Sequence, residues 1–181
     1  MKTKPTWIFA GLLVLTAFAQ SAQSVQAQPF CSFRVVTPDD VAFTQANLLG
    51  KITILFYETR EGAERSNVLK QGLHSGYAGL PATRQAHLQR IAIVDGSPAS
   101  TLVRPFWKRS IRSAAAREGV PIYVDWDGSA GRSCGLTNAP GSTLVILDSG
   151  GRIRRKYDGT TVSASAVLAQ IAAVEAAEGR K

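Results

Sequence analysis

Two cysteines, Cys31 and Cys134, are the most chemically versatile side chains in this sequence. Such a pair forms a structural disulfide, stays as free thiols, or cycles between thiol and disulfide in redox exchange. A disulfide here would close a loop of 103 residues, nominally worth about 4–5 kcal/mol in the chain-entropy model. Arg132 lies two residues before Cys134 and would favour a thiolate there. The sequence leaves all three alternatives open.

The other reactive side chains do not form a recognisable centre. His74 and His87 are too few and too isolated for a zinc site, so no metal is predicted. Asp125-Trp126-Asp127-Gly128 resembles the start of a calcium loop but lacks the later ligands, which favours a turn after a strand. No serine-histidine-aspartate signature, phosphate loop or dinucleotide fingerprint is present, and no cofactor is predicted.

Residues 1–27 have the pattern of an export signal. Lys2 and Lys4 provide a positive start, an apolar run extends from Trp7 to Phe18, and Val25-Gln26-Ala27 resembles a cleavage site. The apolar run of about 12 residues is shorter than the ~20 that span a bilayer. The sequence therefore predicts a periplasmic or secreted protein with no membrane span after cleavage, in a compartment that permits a disulfide.

The charge and composition exclude several classes of protein. The 181 residues are 45% apolar and carry 21 basic against 13 acidic side chains, a net charge of +8. Without Lys2 and Lys4 the net charge is +6. A disordered tail, a multi-span membrane protein and a cysteine-rich module are excluded, and an exported chain of this charge is not expected to bind nucleic acid. One domain is expected.

From Lys51 onward, strand and helix patterns alternate. Apolar β-branched runs predict strands, and amphipathic segments predict helices. The predicted strands are 52–57, 90–94, 122–126, 143–147 and 153–157, with helices at 61–74, about 84–89, 105–119 and 161–178. This order gives an α/β fold, a thioredoxin-like mixed sheet flanked by helices. We expect three segments: a signal peptide (1–27), an N-terminal extension with an added strand or short helix (28–48), and the domain (49–181).

The position at which this fold normally performs thiol chemistry has no cysteine. That position is the start of the helix after the first buried strand, where the helix dipole and free N–H groups stabilise a thiolate. Here it reads Tyr57-Glu-Thr-Arg-Glu-Gly-Ala-Glu-Arg-Ser66. A second landmark, a cis-proline before the hairpin, falls on Ser142 when counted back from Asp148. Pro140 lies two residues earlier.

Several further positions together resemble the YtfJ-like family of exported bacterial proteins. They cover roughly residues 43–175 and comprise Gly50-Lys51 with Ile52–Phe56, Arg60, Ala63, Asn67, Ile93-Val94-Asp95, Asp125-x-Asp127-Gly128, Gly135-Leu136 and Ser142-x-Leu-Val-Ile-Leu-Asp148-x-x-Gly151. The resemblance implies a thioredoxin-like fold, export and no paired active-site cysteines. The family has no established activity, so the resemblance implies fold and compartment more than function.

Basic residues form a second candidate surface. Arg104, Lys108 and Arg112 are four residues apart and share one face of the predicted helix 105–119. This face is either a solvated surface or a docking site for an anionic surface or an acidic periplasmic protein.

Two functions follow from these patterns. The main interpretation is a non-catalytic binding or accessory module, which uses the loops at 57–63 and 134–142 with Arg60, Asn67, Ser142 and Pro140 as binding residues. The alternative is an atypical thiol-disulfide redox protein that relies on Cys134, with Cys31 as its resolving partner. Thiol trapping and an insulin-reduction assay on Cys134→Ser would separate the two.

Overall fold

A computed structural model describes residues 28–137 and 141–179. Residues 1–27, which the sequence predicts to be an export signal, and Pro140 lie outside these ranges. The described strands are β1 (Gln28–Pro29), β2 (Arg34–Val36), β3 (Ala42–Thr44), β4 (Ile52–Glu58), β5 (Leu88–Asp95), β6 (Ile122–Asp125), β7 (Ser142–Leu147) and β8 (Arg152–Asp158). The helices are α1 (Arg60–Arg65), α2 (Asn67–Ala78), α3 (Ala82–His87), α4 (Arg104–Glu118), α5 (Ser129–Ser133) and α6 (Ala164–Ala177), with a 3-10 helix at Gln45–Leu48.

The strands form one mixed sheet in the order β1-β8-β7-β4-β5-β6-β2-β3. Strands β4, β5 and β6 are parallel, whereas β7 runs antiparallel to β4 and pairs with β8 as a hairpin. Two parallel crossovers followed by this hairpin confirm the predicted α/β architecture. All seven residues of β4 are buried, as expected for the central strand of a sheet covered on both faces.

The helices differ from the sequence prediction at two places. The segment predicted as one helix over 61–74 forms α1 and α2, which meet at Ser66. The Ser66 hydroxyl donates to the Glu58 carboxylate at 2.5 Å and to the Ala63 carbonyl at 3.3 Å, and such local bonds compete with a continuous helix. Helix α5 was missed because five residues of mostly small type carry no amphipathic period.

The N-terminal extension joins the same sheet. Strands β2 and β3 pair with each other, and β2 reaches the edge of the main sheet through Val36 and Val124. Strand β1 adds to the opposite edge beside β8. Phe33, Val35 and Phe43 from this segment are each more than 90% buried. The extension therefore covers one face of the sheet.

The sheet separates two apolar clusters. The first cluster lies under the helices and includes Phe56, Ile111, Ile146 and Ile171. The second cluster lies on the other face, where the extension and α5 cover Leu55, Ile93 and Val145. Burial of both faces removes enough apolar surface from water to stabilise a domain of this size.

Candidate functional site

Cys31 and Cys134 form a disulfide that pins the extension to α5. Their Cα atoms are 5.2 Å apart, within the usual span of such a bond. Both side chains are half-buried and pack against the second apolar cluster. Both described cysteines are therefore paired, and the free-thiol alternative is wrong.

Cys134 lies at the carboxyl end of α5, where its N–H donates to the Ala130 carbonyl at 3.0 Å. The reactive cysteine of this fold normally lies at a helix amino terminus, where free N–H groups stabilise a thiolate. Here those groups are absent from the vicinity of Cys134, since its own N–H is used within the helix. Cys134 therefore has no helix amino terminus to stabilise a thiolate, which favours the disulfide over the dithiol.

A buried carboxylate holds α5 on the sheet. Asp125 ends β6 and its Oδ2 accepts two hydrogen bonds, from the Tyr57 hydroxyl at 3.0 Å and from the Gly131 N–H at 2.9 Å. A Cβ atom at Gly131 would overlap the Tyr57 ring. Glycine at this position therefore allows the backbone of α5 to lie directly on the ring.

The same buried environment shifts several pKa values. Burial raises the pKa of Asp125, partly offset by its bonds from Gly131 and Tyr57. Burial, with the negative charge of Asp125, also raises the pKa of Tyr57. Hydrogen bonds from Ser129 lower the pKa of the exposed Asp127 to about 2. Burial thus disfavours the charged forms of both Asp125 and Tyr57, which lie beneath the helix that carries Cys134.

Two exposed basic side chains bind backbone carbonyls of the segment 127–135, which contains Cys134. Arg132 is exposed and donates to the Asp127 carbonyl at 2.9 Å. Lys156, from β8, donates to the carbonyl of Gly135. Arg132 is close to Cys134 in sequence, but its guanidinium lies near Asp127 and Gly128, at the amino end of α5. Lys156 was not predicted, because it is distant in the chain and is brought to Gly135 by the β7–β8 hairpin.

The usual thiol position is occupied by a buried polar network. Glu58 is 1% exposed. Its Oε1 accepts from Ser66 at 2.5 Å and from Ser142 at 3.1 Å, and its Oε2 lies 2.6 Å from the Lys70 ammonium. Thr59 caps α1 by accepting from the Gly62 N–H at 3.0 Å. This network neutralises the Glu58 charge and offers no nucleophile with an accessible anionic form.

The fold does not bring the predicted binding residues together in one place. Arg60 and Asn67 are exposed and line a groove of about 1160 Å³ between α2 and α4. Ser142 is buried beside Glu58. Pro140 falls in the part of the chain that the structure does not describe. Binding through these residues stays a prediction.

The predicted basic face is largely engaged within the molecule. Lys108 lies 2.7 Å from Asp40, and Arg112 lies 2.6 Å from Asp39. Arg104 stacks over Trp126 at 4.9 Å. The two ion pairs tie α4 to the turn between β2 and β3. Docking of an anionic surface here stays a prediction.

Within residues 28–137 and 141–179, neither a metal-binding cluster nor a membrane-crossing helix is found. No group of three or more histidine, cysteine or acidic side chains is placed to hold a metal ion. No helix in this part of the chain is both long and apolar enough to cross a bilayer.

The fold is that of thioredoxin-like proteins. A Chlorobium tepidum protein assigned as the thiol:disulfide interchange protein DsbE superposes with a TM-score of 0.60 at 14% identity, covering 82% of this chain and 96% of its own. A DsbF homologue from Corynebacterium diphtheriae superposes with a TM-score of 0.59 at 13% identity, covering 90% of this chain and 99% of its own. The exposed lipoprotein thioredoxin of Streptococcus pneumoniae superposes with a TM-score of 0.59 at 14% identity, covering 78% of this chain and 98% of its own. At these identities the likeness shows the fold.

No family model matches the sequence, and no curated protein is found as a relative. The fold expected from the YtfJ-like resemblance is confirmed by the structural neighbours.

The main functional interpretation from sequence is wrong. It described a non-catalytic binding or accessory module that lacks the paired active-site cysteines, whereas Cys31 and Cys134 are joined in a disulfide, and two of the solved structures similar to this chain are a thiol:disulfide interchange protein and a DsbF homologue. The main interpretation rested on the absence of cysteine at the start of α1, whereas the disulfide joins Cys31 and Cys134, the pair on which the alternative relied, across 103 residues.

Proposed function

We propose that this protein is a thiol-disulfide redox protein whose exchange centre is the Cys31–Cys134 pair. The observation that carries the proposal is the half-buried disulfide between these residues. It is further supported by Lys156, whose ammonium binds the carbonyl of Gly135 next to Cys134, and by a fold shared with thiol:disulfide interchange proteins.

The exchange proceeds in two steps from the reduced protein. The Cys134 thiolate attacks one sulfur of a substrate disulfide, forms a mixed disulfide and releases the first substrate thiolate. The Cys31 thiolate then attacks the Cys134 sulfur, which forms the intramolecular disulfide and releases the second substrate thiolate. Two electrons pass to the substrate, and an external dithiol returns the pair to its reduced state.

The local electrostatics favour a reducing pair. Cys134 lacks the helix amino terminus that stabilises a thiolate, and Arg132 and Lys156 supply only exposed positive charge. Strong oxidants such as DsbA have potentials near −120 mV because their reduced form is stabilised. We therefore expect a potential closer to that of thioredoxin, about −270 mV.

The test is a redox titration combined with an insulin-reduction assay. Thiol trapping in dithiothreitol buffers should give a potential above about −300 mV, the level below which structural disulfides lie. With dithiothreitol as reductant, the protein should accelerate insulin reduction, Cys134→Ser should abolish the acceleration, and Arg109→Gln, an exposed substitution elsewhere, should leave it intact. A potential below about −300 mV, or activity that survives Cys134→Ser, overturns the proposal.

We also infer an extracytoplasmic location, periplasmic or secreted, and membership of the YtfJ-like family. The location is supported by the signal pattern of residues 1–27, by a disulfide that needs an oxidising compartment and by the exposed lipoprotein among the structural neighbours. Expression with the native signal followed by cell fractionation tests it, and retention of an unprocessed chain in the cytoplasm would contradict it.

A further inference from the structure

Helices α2 and α4 stand apart on the first face of the sheet and leave a groove of about 1160 Å³. This volume is slightly larger than the roughly 300–1,000 Å³ that small-ligand sites in proteins occupy. Its floor is formed by β4, β5 and β6 and includes Phe56, Ala92 and Ile122. The groove lies on the sheet face opposite the disulfide, so any function here is separate from the thiol chemistry.

One wall of the groove is unusually apolar for a protein surface. Phe106 of α4 lines it and is 74% exposed. Trp107, one residue further, lines it as a half-buried ring. An exposed phenylalanine at the edge of a concave surface indicates a site that an apolar ligand covers.

The floor carries a positive charge at a position whose neighbours on the same face of β5 are apolar. On this face β5 presents Leu88, Arg90, Ala92 and Val94 in a row. Leu88 and Ala92 are each 3% exposed, and Arg90 between them is half-buried. Burial lowers the pKa of Arg90, so holding this charge here costs free energy.

Arg90 has no acidic partner among the described residues. Its guanidinium stacks over the Tyr77 ring at 4.2 Å and lies 3.4 Å from the Nδ1 atom of His74, and it is in none of the ion pairs of the described chain. The acids that line the groove are Glu58 and Glu118, which both lie within 3.8 Å of the Lys70 ammonium, and the exposed Glu64 on α1. Arg90 is thus a partly desolvated cation whose charge is unmatched.

We propose that the α2–α4 groove binds a fatty acid, with the acyl chain along Phe106 and Trp107 and the carboxylate on Arg90. The planar guanidinium matches a carboxylate in a bidentate hydrogen bond, which supplies the missing counter-charge. The acyl chain covers the apolar wall, whose exposure is otherwise unfavourable.

The test compares dodecanoate with dodecan-1-ol, which has the same chain without the charge. Calorimetric titration of the full protein, below the micellar concentration, should give saturable dodecanoate binding that is at least about tenfold tighter than dodecanol binding, as for loss of one charged hydrogen-bond pair. Trp107 should report the binding through its fluorescence.

Three variants locate the two ends of the ligand. Arg90→Gln should weaken dodecanoate binding about tenfold and leave dodecanol unchanged, and Arg90→Lys should retain part of the affinity because the charge remains. Phe106→Ala should weaken both ligands, whereas Arg109→Gln, an exposed arginine on α4 outside the groove, should alter neither. Lack of saturable dodecanoate binding, or equal dodecanoate affinity in Arg90→Gln and the unmodified protein, overturns the proposal.

Discussion

At the scale of single residues, Asp125 shows how burial without a cation changes the ionisation of a carboxyl group. Oδ2 of Asp125 accepts both of its described hydrogen bonds, whereas Oδ1 is buried without one. Glu58, equally buried, has its charge matched by Lys70 at 2.6 Å. Burial raises the pKa of Asp125, since a desolvated carboxylate without a cation is unfavourable.

The raised pKa of Asp125 gives a pH-dependent effect on stability. As pH rises from about 4, the unfolded carboxyl ionises before the native one, so the native state is destabilised over the window between the two pKa values. Asp125→Asn removes this ionisation, and its amide oxygen retains the bonds from Tyr57 and Gly131. We expect the free energy of unfolding of the variant, relative to the unmodified protein, to increase between pH 4 and pH 7, as measured by urea denaturation at each pH.

Asp127→Asn is the matched control for this series. Its carboxylate is exposed and its pKa is lowered to about 2, so it stabilises the native state above its unfolded pKa of about 3.8. That contribution is lost as pH falls toward 2, which is the opposite trend. An Asp125→Asn difference that stays constant from pH 4 to pH 7 would contradict the assigned cause.

At the scale of elements, α5 is held by close packing and not by its own propensity. Five residues cannot form a stable isolated helix. Asp125 fixes its amino end through the Gly131 N–H, and Leu136 closes its carboxyl end by donating to the Gly131 carbonyl at 2.8 Å. The approach of Gly131 to the Tyr57 ring sets the position of Cys134.

Gly131→Ala should therefore destabilise the protein. The added methyl group enters the space of the Tyr57 ring, and overpacking of this kind costs about 1–3 kcal/mol. We expect a correspondingly lower free energy of unfolding in guanidinium denaturation.

Gly79→Ala provides the comparison. Gly79 ends α2 with φ of −78°, and a methyl group there meets only ordinary contacts. The substitution should stabilise the protein by about 0.4–1 kcal/mol, because alanine lowers the conformational entropy of the unfolded chain. Equal effects of the two substitutions would show that Gly131 is not closely packed.

At the scale of the whole molecule, the disulfide joins the chain's extension to its main domain. Strand β2 forms strand pairing with β6 at one register position, Val36 opposite Val124, and β1 is two residues long. The ion pairs Lys108–Asp40 and Arg112–Asp39 are partly or largely exposed and contribute little free energy to this attachment. The apolar cluster around Phe33 and the covalent bond therefore account for most of the attachment.

Removal of the disulfide should lower global stability strongly. In the chain-entropy model, a loop of 103 residues gives about 4–5 kcal/mol. We expect the Cys31→Ala/Cys134→Ala double variant to lose about this amount in guanidinium denaturation. The unmodified protein in excess dithiothreitol is the control and should show the same loss. A difference below about 1 kcal/mol would mean that the extension is attached by packing alone.

The local sequence determined the main elements of this protein. Apolar runs such as Ile52–Tyr57 and the three- and four-residue spacing of the large apolar residues in α6 are formed by neighbours in the chain. The order of elements along the chain, the two crossovers and the hairpin therefore followed from pattern. The absence of cysteine at the start of α1 was likewise visible in the residues themselves.

Tertiary structure decided what those residues do. Three contacts depend on segments that are distant in sequence and that meet only when the whole sheet packs. They are the disulfide between Cys31 and Cys134, the hydrogen bond from Lys156 to Gly135, and the bond by which Asp125 holds α5. The short strands of the extension bury their apolar residues only against a surface that the rest of the chain provides. A local pattern cannot encode such contacts, because their free energy exists only after both partners are in place.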